Sequence, residues 1–278
     1  MVKYNQKNKD TFSRYLKILL EGQFGDINEK DSRGLAILHQ AAELSDAEGI
    51  QALIAKEAEV NIKSDMGDTP LHLAALRGEV ENIKALIEKG AEVNIRNDSG
   101  DTPLHEAAIN GEVESIKELI KGGAEINAKN DGGCTALHRA SFMGYEEAVK
   151  ELISSGADVN IKRTPLHDAA LMREVGNVRT ILEVVENVNE RDEKGCTPLH
   201  LVCLRAKGEK ELKIVKELIR RGANTNVLCN IGKTPMDYAR HNQEIMEVLK
   251  TAEIVNKQRE YIKKSSRLAK EEVETMDE

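Results

Sequence analysis

The sequence predicts an all-α chain, a solenoid of helix-turn-helix units joined by short hairpin fingers, and three observations carry that prediction. First, TPLH or a near variant recurs at Thr69, Thr102, Thr135 (TALH), Thr164, Thr197 and Thr234 (TPMD), with a degenerate AILH at Ala36; successive starts lie 33, 33, 33, 29, 33 and 37 residues apart. Second, five Tyr, three Phe and no Trp in 278 residues leave too little bulk for one large central core. Third, each period holds two short apolar patterns at helical spacing. Helices below about 12 to 15 residues are marginal alone, so they must stack on their neighbours.

In chain order, residues 1–35 read as an N-terminal capping half-repeat and first finger. Phe12, Tyr15, Leu16, Leu19 and Leu20 supply an apolar face, and GDIN follows. Asn28 precedes Ala36 by eight residues, as Asn61 precedes Thr69, so the register is kept. Seven repeats then fill 36–255. In the clearest unit, the Thr69 hydroxyl suits a helix cap, Pro70 suits a first turn because it lacks an N–H, and Gly78 permits the reversal after Arg77. Val80, Ile83, Leu86 and Ile87 mark a second helix, and Gly90 stands where a left-handed cap is needed. The polar stretch Asn94–Gly100 fits a finger.

The array slips between two units. Asn160 precedes Thr164 by only four residues, so that finger loses its tip, and Arg173 and Val185 replace the usual glycines. Four residues are regained within Arg205–Lys213, where a longer loop on the opposite edge is expected. The region should be the weakest link of an otherwise additive stack. The unit at Thr234 reads as a C-terminal cap, and 256–278 as a charged helical tail dispensable for folding. Ile245, Val248, Ala252, Val255, Ile262, Ala269 and Val273 approximate a 3-4 pattern, but Arg259 and Ser266 interrupt it, so a monomer is expected.

The run GDTPLHLAALRGEVENIKALIEKGAEVN from Gly67, repeated with few changes from Gly100, resembles the ankyrin repeat, with its TPLHxAA and GAxVN signatures. The resemblance covers roughly residues 10–255. It implies a concave side of fingers and first helices that binds another protein, and a motif histidine that hydrogen-bonds between repeats. Adaptors, enzyme inhibitors and host-directed effectors of intracellular bacteria share this architecture, and the resemblance does not choose among them.

Several other function classes are argued against. No apolar run reaches the roughly 18 residues of a membrane span, and Lys17 interrupts YLKILL, a poor signal sequence; an intracellular, cytoplasmic protein is expected. A net charge of -8 argues against phosphate-backbone binding. Lys257, Arg259, Lys263, Lys264, Arg267 and Lys270 in the tail precede an acidic run, which favours a solvated helix face over a nucleic-acid site. Cys134, Cys196, Cys203 and Cys229 have no zinc-site spacing and read as reduced thiols in a reducing compartment. Cys229 falls in a finger, where a free thiol is either inert, the preferred reading, or reactive. His39, His72, His105, His138, His167 and His200 share one repeat position and so read as structural; His241, outside the pattern, reads as solvated. No Gly-rich phosphate loop and no nucleophile paired with a base is present, so no catalytic residue, metal ligand or cofactor is assigned. The alternative, a targeting arm of a larger enzyme or toxin, requires a longer parent chain.

Recognition is expected where the repeat leaves residues free to vary. Four residues beyond each motif histidine stand Leu76, Ile109, Phe142, Leu171 and Leu204 in succession, with Met143 and Met172 beside two of them. Each site is either a groove residue or packing between first helices, and the unbroken apolar run favours a groove. Finger residues Asp65, Met66, Asp68, Asp98, Asp101 and Asp131 form an acidic rim, so the expected partner is a protein with basic and apolar side chains.

Overall fold

In a computed structural model of the chain, residue 17 and residues 26–44, 46–161, 164–204 and 208–276 are described. Phe12, Tyr15, Leu16, Leu19 and Leu20 of the expected cap lie outside them. The described residues contain fourteen helices in succession and one isolated β-bridge, Lys30 to Ala36. They fall into two compact units, Met1–Asp158 and Val159–Glu278, and the division lies beside the finger that the sequence shortens.

The first unit holds α1 (Ile37–Glu43), α2 (Ala47–Ala55), α3 (Pro70–Arg77), α4 (Val80–Glu88), α5 (Pro103–Asn110), α6 (Val113–Lys121), α7 (Ala136–Met143) and α8 (Glu146–Ser154). First helices α1, α3, α5 and α7 stack in one row and second helices α2, α4, α6 and α8 in another. Leu71, Leu104 and Leu137 from the first row, with Ile83, Leu86, Ile116, Leu119 and Leu152 from the second, are fully buried. Each such side chain contributes about 1.5–3 kcal/mol, which accumulates repeat by repeat rather than in one centre.

The second unit holds α9 (Pro165–Met172), α10 (Val175–Val184), α11 (Pro198–Leu204), α12 (Glu209–Arg220), α13 (Pro235–Ala239) and α14 (Gln243–Met276). Here α9, α11 and α13 stack in one row and α10, α12 and α14 in the other. The tail sequence continues α14, which runs 34 residues.

First helices α3, α5, α7, α9 and α11 begin after the motif threonine, whose hydroxyl lies 2.8–2.9 Å from Nδ1 of the motif histidine; α1 begins after Ala36, and in α13 Asp237 takes the histidine's place beside Thr234. His72 Nδ1 accepts the Thr69 backbone N–H at 3.1 Å and lies 2.9 Å from the Thr69 hydroxyl. The helix ends on Gly78 at φ 75°, a left-handed conformation that spares glycine the Cβ penalty. Arg173 takes the same conformation, at φ 64°, where the repeat would place glycine.

Two expectations about the irregular region are corrected. Val185 does not need to replace a left-handed glycine, because α10 runs to Val184 and Val185 leaves it in extended conformation. The four residues regained after Leu204 do not all become loop: α12 has twelve residues where α6 has nine, so the helix start absorbs three. That extension carries Glu211, whose buried carboxylate accepts from Arg173 Nη1 at 3.1 Å. The inserted turn therefore supplies the counter-charge for the residue that replaced glycine.

Candidate functional site

The fingers are ordered by three sets of hydrogen bonds, each made by a repeated polar residue. The neutral motif imidazole, accepting at Nδ1, donates from Nε2 to a backbone carbonyl of the following finger: His39 to Asp68 at 2.9 Å, His72 to Asp101 at 3.0 Å, His105 to Cys134 at 3.0 Å, His167 to Cys196 at 3.1 Å and His200 to Lys233 at 3.2 Å. Burial pushes His39, His72, His105 and His200 below the ordinary imidazole value, which suits that neutral tautomer. Within a finger, Asn97 Oδ1 accepts the N–H groups of Ser99 and Asp101, both at 3.0 Å, closing a turn that Gly100 completes at φ 72°. Between repeats, the asparagine of GAxVN accepts a backbone N–H from the next repeat: Asn61 from Glu92 at 2.9 Å and Asn94 from Glu125 at 2.8 Å.

This scaffold brings a group of carboxylates together in the first unit. Asp68 Oδ1 accepts from Asn97 Nδ2 at 2.8 Å, and the same amide reaches Glu106 Oε1 at 3.3 Å. Asp101 accepts from Asn130 Nδ2 at 2.7 Å and from Arg139 Nη2 at 2.8 Å. Glu106 is pushed up to about 7, first by burial and then by the negative charges of Asp68 and Asp101, with Arg139 and Asn97 opposing. It is a carboxyl poised to exchange its proton at neutral pH. Glu106 is not among the rim residues expected from the sequence, although a signal for it existed: it fills the variable x of TPLHxAA, directly after the motif histidine His105.

The expected rim residues divide. Asp65 and Asp98 are exposed, and Met66 is 73% exposed at a finger tip. Asp131 is exposed but ion-paired with Arg96 at 2.6 Å. Asp68 is half-buried. Asp101 does not belong on the rim: it is buried, and both carboxylate oxygens are engaged within the fold.

The apolar positions divide too. In the first unit Leu76 and Ile109 are half-buried, and the Asn110 amide donates to the Leu76 carbonyl at 2.6 Å, so this edge is shared with packing between repeats. Phe142 and Met143, at the end of α7, are 40% and 45% exposed. They follow Arg139, which holds Asp101, by one turn of the same helix. In the second unit Leu171 and Met172 are half-buried, whereas Leu204 is 52% exposed.

Among the described residues, no three or more His, Cys, Asp or Glu side chains group as metal ligands, and no helix is long and apolar enough to cross a membrane. Cys134 is half-buried, and burial pushes the Cys203 thiol up to about 12. Cys196 and Cys229, remote in sequence, are neighbours in space, a juxtaposition that spacing alone did not indicate.

The human ASB11 ankyrin repeat domain superposes with a TM-score of 0.69 at 27% identity, covering 77% of this chain and 96% of that domain. The ankyrin repeat domain of Bcl-3, a member of the IkappaB protein family, superposes with a TM-score of 0.68 at 26% identity over 80% of this chain and all of that domain. Local sequence similarity reaches the mitochondrial disaggregases of Rattus norvegicus, 47% identical over 60 residues, and Homo sapiens, 42% identical over 65. Those matches take in 22% and 23% of this chain, and the chain spans 8% of the length of either relative. The family model for ankyrin repeats matches residues 6–97, 92–163 and 166–259. With that match over most of its length, helix pairs stacked in two rows within each unit and a histidine link to the next finger from five of the first helices, the chain belongs to the ankyrin-repeat family.

Proposed function

We propose that the chain is a non-catalytic scaffold or adaptor, acting as a cytoplasmic monomer, that binds a partner protein along its finger and first-helix surface. Ankyrin repeats generally mediate protein-protein interaction, which is the coarse part of this reading. The observation that carries the rest is the arrangement on α5 and α7: exposed Phe142 and Met143 stand one turn from Arg139, which binds Asp101, while Glu106 lies beside Asp68. An aromatic and a thioether side chain next to concentrated carboxylates suit a partner that offers an apolar anchor flanked by Lys or Arg. Met66, Asp65 and Asp98 on the finger tips extend the same chemistry. Half-buried Leu76 and Ile109 offer apolar area on α3 and α5, and Leu171, Met172 and Leu204 offer a further apolar set in the second unit.

The test is affinity capture from the native cell lysate with the intact protein beside a Phe142→Ala/Met143→Ala variant. A protein retained by the first and lost by the second, with the melting temperature unchanged, supports the reading. If affinity holds while the melting temperature falls, these side chains are packing and the surface lies elsewhere. A genuine anchor costs about 2 kcal/mol on truncation, roughly a thirtyfold loss of affinity.

A further inference from the structure

The finger that precedes Thr234 departs from the other full-length fingers at one chemically loaded position. Five residues before Thr69, Thr102, Thr135 and Thr197, Ser64, Asn97, Asn130 and Asp192 supply an oxygen that accepts backbone N–H groups of the turn: Ser64 from Met66 and Asp68, Asn97 from Ser99 and Asp101, Asn130 from Cys134, and Asp192 from Lys194 and Cys196. Cys229 stands at that position here, so its sulfur takes the place of the turn's acceptor. The Tyr238 hydroxyl lies 3.7 Å from it, and the backbone N–H groups of Ile231 and Lys233 favour its thiolate. Its fourth neighbour is the Cys196 thiol. The pair replaces a link seen elsewhere: the Asn130 amide donates to the Asp101 carboxylate at 2.7 Å, and Cys229 and Cys196 hold the equivalent places. The backbones of the two fingers are joined beside them, Asn230 N–H donating to the Lys194 carbonyl at 2.9 Å.

This surrounding separates the two thiols. Burial opposes ionisation of Cys229, but the two backbone donors, with the Tyr238 hydroxyl and the Cys196 thiol, outweigh it and hold Cys229 below the ordinary thiol value. Cys196 is pushed up to about 11, by burial first and then by the charges of Asp192 and Cys229, so it stays protonated and donates. Tyr238 is pushed up to about 12, chiefly by its bond to Cys229, which fits a hydroxyl acting as donor. Cys229 is covered, yet its finger is thin: Leu228 is 54% and Ile231 70% exposed on either side.

We infer that Cys229 and Cys196 form a reversible oxidation site, in which a peroxide oxidises Cys229 and Cys196 resolves the product into a disulfide that staples two adjacent fingers. Cys229 first gives its proton to solvent. Its sulfur attacks one peroxide oxygen, the S–O bond forms as the O–O bond breaks, and the departing hydroxide takes a proton to leave as water. Cys196 then attacks the sulfur of the sulfenic acid; the S–S bond forms, the S–O bond breaks, and the hydroxyl leaves as a second water with the Cys196 proton. Two thiols lose two electrons and one peroxide becomes two waters. A thiol donor restores the pair by exchange, which makes the staple a transient modification in a reducing compartment.

The test uses the full chain, hydrogen peroxide, dimedone to trap sulfenic acid, and differential alkylation read by mass spectrometry. Cys196 and Cys203 share the tryptic peptide 195–205, so fragmentation must separate them. The expected result is a Cys196–Cys229 crosslink in the native protein, reversed by a thiol reductant. Cys196→Ser should lose the crosslink and leave dimedone on Cys229, Cys229→Ser should lose oxidation of Cys196, and Tyr238→Phe should slow labelling of Cys229. Cys134, half-buried and outside the pair, is the internal reference, because exposure alone would make it react first. Labelling of Cys134 ahead of Cys229, a crosslink involving Cys134 or Cys203 instead, or Cys196 oxidation undiminished in Cys229→Ser would overturn the inference. The native-protein crosslink decides the matter even where a serine variant folds poorly.

Discussion

Replacing Glu106 by Gln should stabilise the protein at alkaline pH and leave it almost unchanged in mild acid. The folded protein holds this carboxyl at about 7 against an ordinary 4.5, first by burial and then by Asp68 and Asp101. Between those values the folded state binds more protons than the unfolded chain, so stability falls as pH rises across the interval. The full displacement corresponds to about 3 kcal/mol, and partial exposure with Arg139 nearby reduces the recoverable part to about 1–2 kcal/mol at pH 8. At pH 5 the native carboxyl is protonated, and Gln, with the same shape and a donor in place of the acid hydrogen, should be nearly neutral in effect. Urea unfolding of both proteins at pH 5 and pH 8 measures the difference. An equal effect at the two pH values, or no gain at pH 8, would refute the argument that Glu106 is charged at a cost in the free protein. The same cost gives Glu106 a function: a partner's Lys or Arg placed against it would draw off the proton, so affinity should strengthen between pH 6 and pH 8 in the native protein and lose that dependence in Glu106→Gln.

Other predictions concern the stack itself. His39, His72, His105 and His200 are held below the ordinary value of 6.5 by burial, so stability should be complete above that pH and decline as pH falls below it. A melting series from pH 7.5 to pH 5 should show the decline, and more steeply in Glu106→Gln, where the opposing Glu106 carboxyl is removed. Arg173→Gly relieves a left-handed backbone, worth about 1 kcal/mol, but strands the buried Glu211, which costs about 3–5 kcal/mol; the variant should be destabilised, and Glu211→Gln should recover much of the loss in a double-mutant cycle. Hydrogen exchange should be fastest in the described parts of 155–190, next to the unit division after Asp158; equal protection there and in the adjoining helices would contradict a weak link.

The architecture was legible in the sequence because each repeat solves its local problem within a few residues. Thr69 and His72 are three apart, as are Thr102 and His105, so reading one motif exposes the start of each first helix that carries it. The left-handed glycines after α3, α5 and α7 and the polar turns of the fingers are equally local. The resemblance carried the histidine's reach to the next finger, and the exposed ends of α7 and α11 matched positions that the repeat leaves variable. What only the tertiary structure decided depends on residues 29 to 38 positions apart, where sequence order says nothing about contact. Asp101 and Asp98 look alike in the sequence, yet Asn130 and Arg139 bury the first while the second stays in water. Glu106 became a neutral-pH acid because the fold buries it and then sets Asp68 and Asp101 beside it. Arg173 and the insertion before Glu211 read as separate irregularities until the fold placed them 3.1 Å apart. Cys229 was a free thiol in a finger until backbone donors and Cys196 closed around it. Backbone geometry is set by neighbours along the chain, whereas charge, desolvation and thiol reactivity are set by neighbours in space.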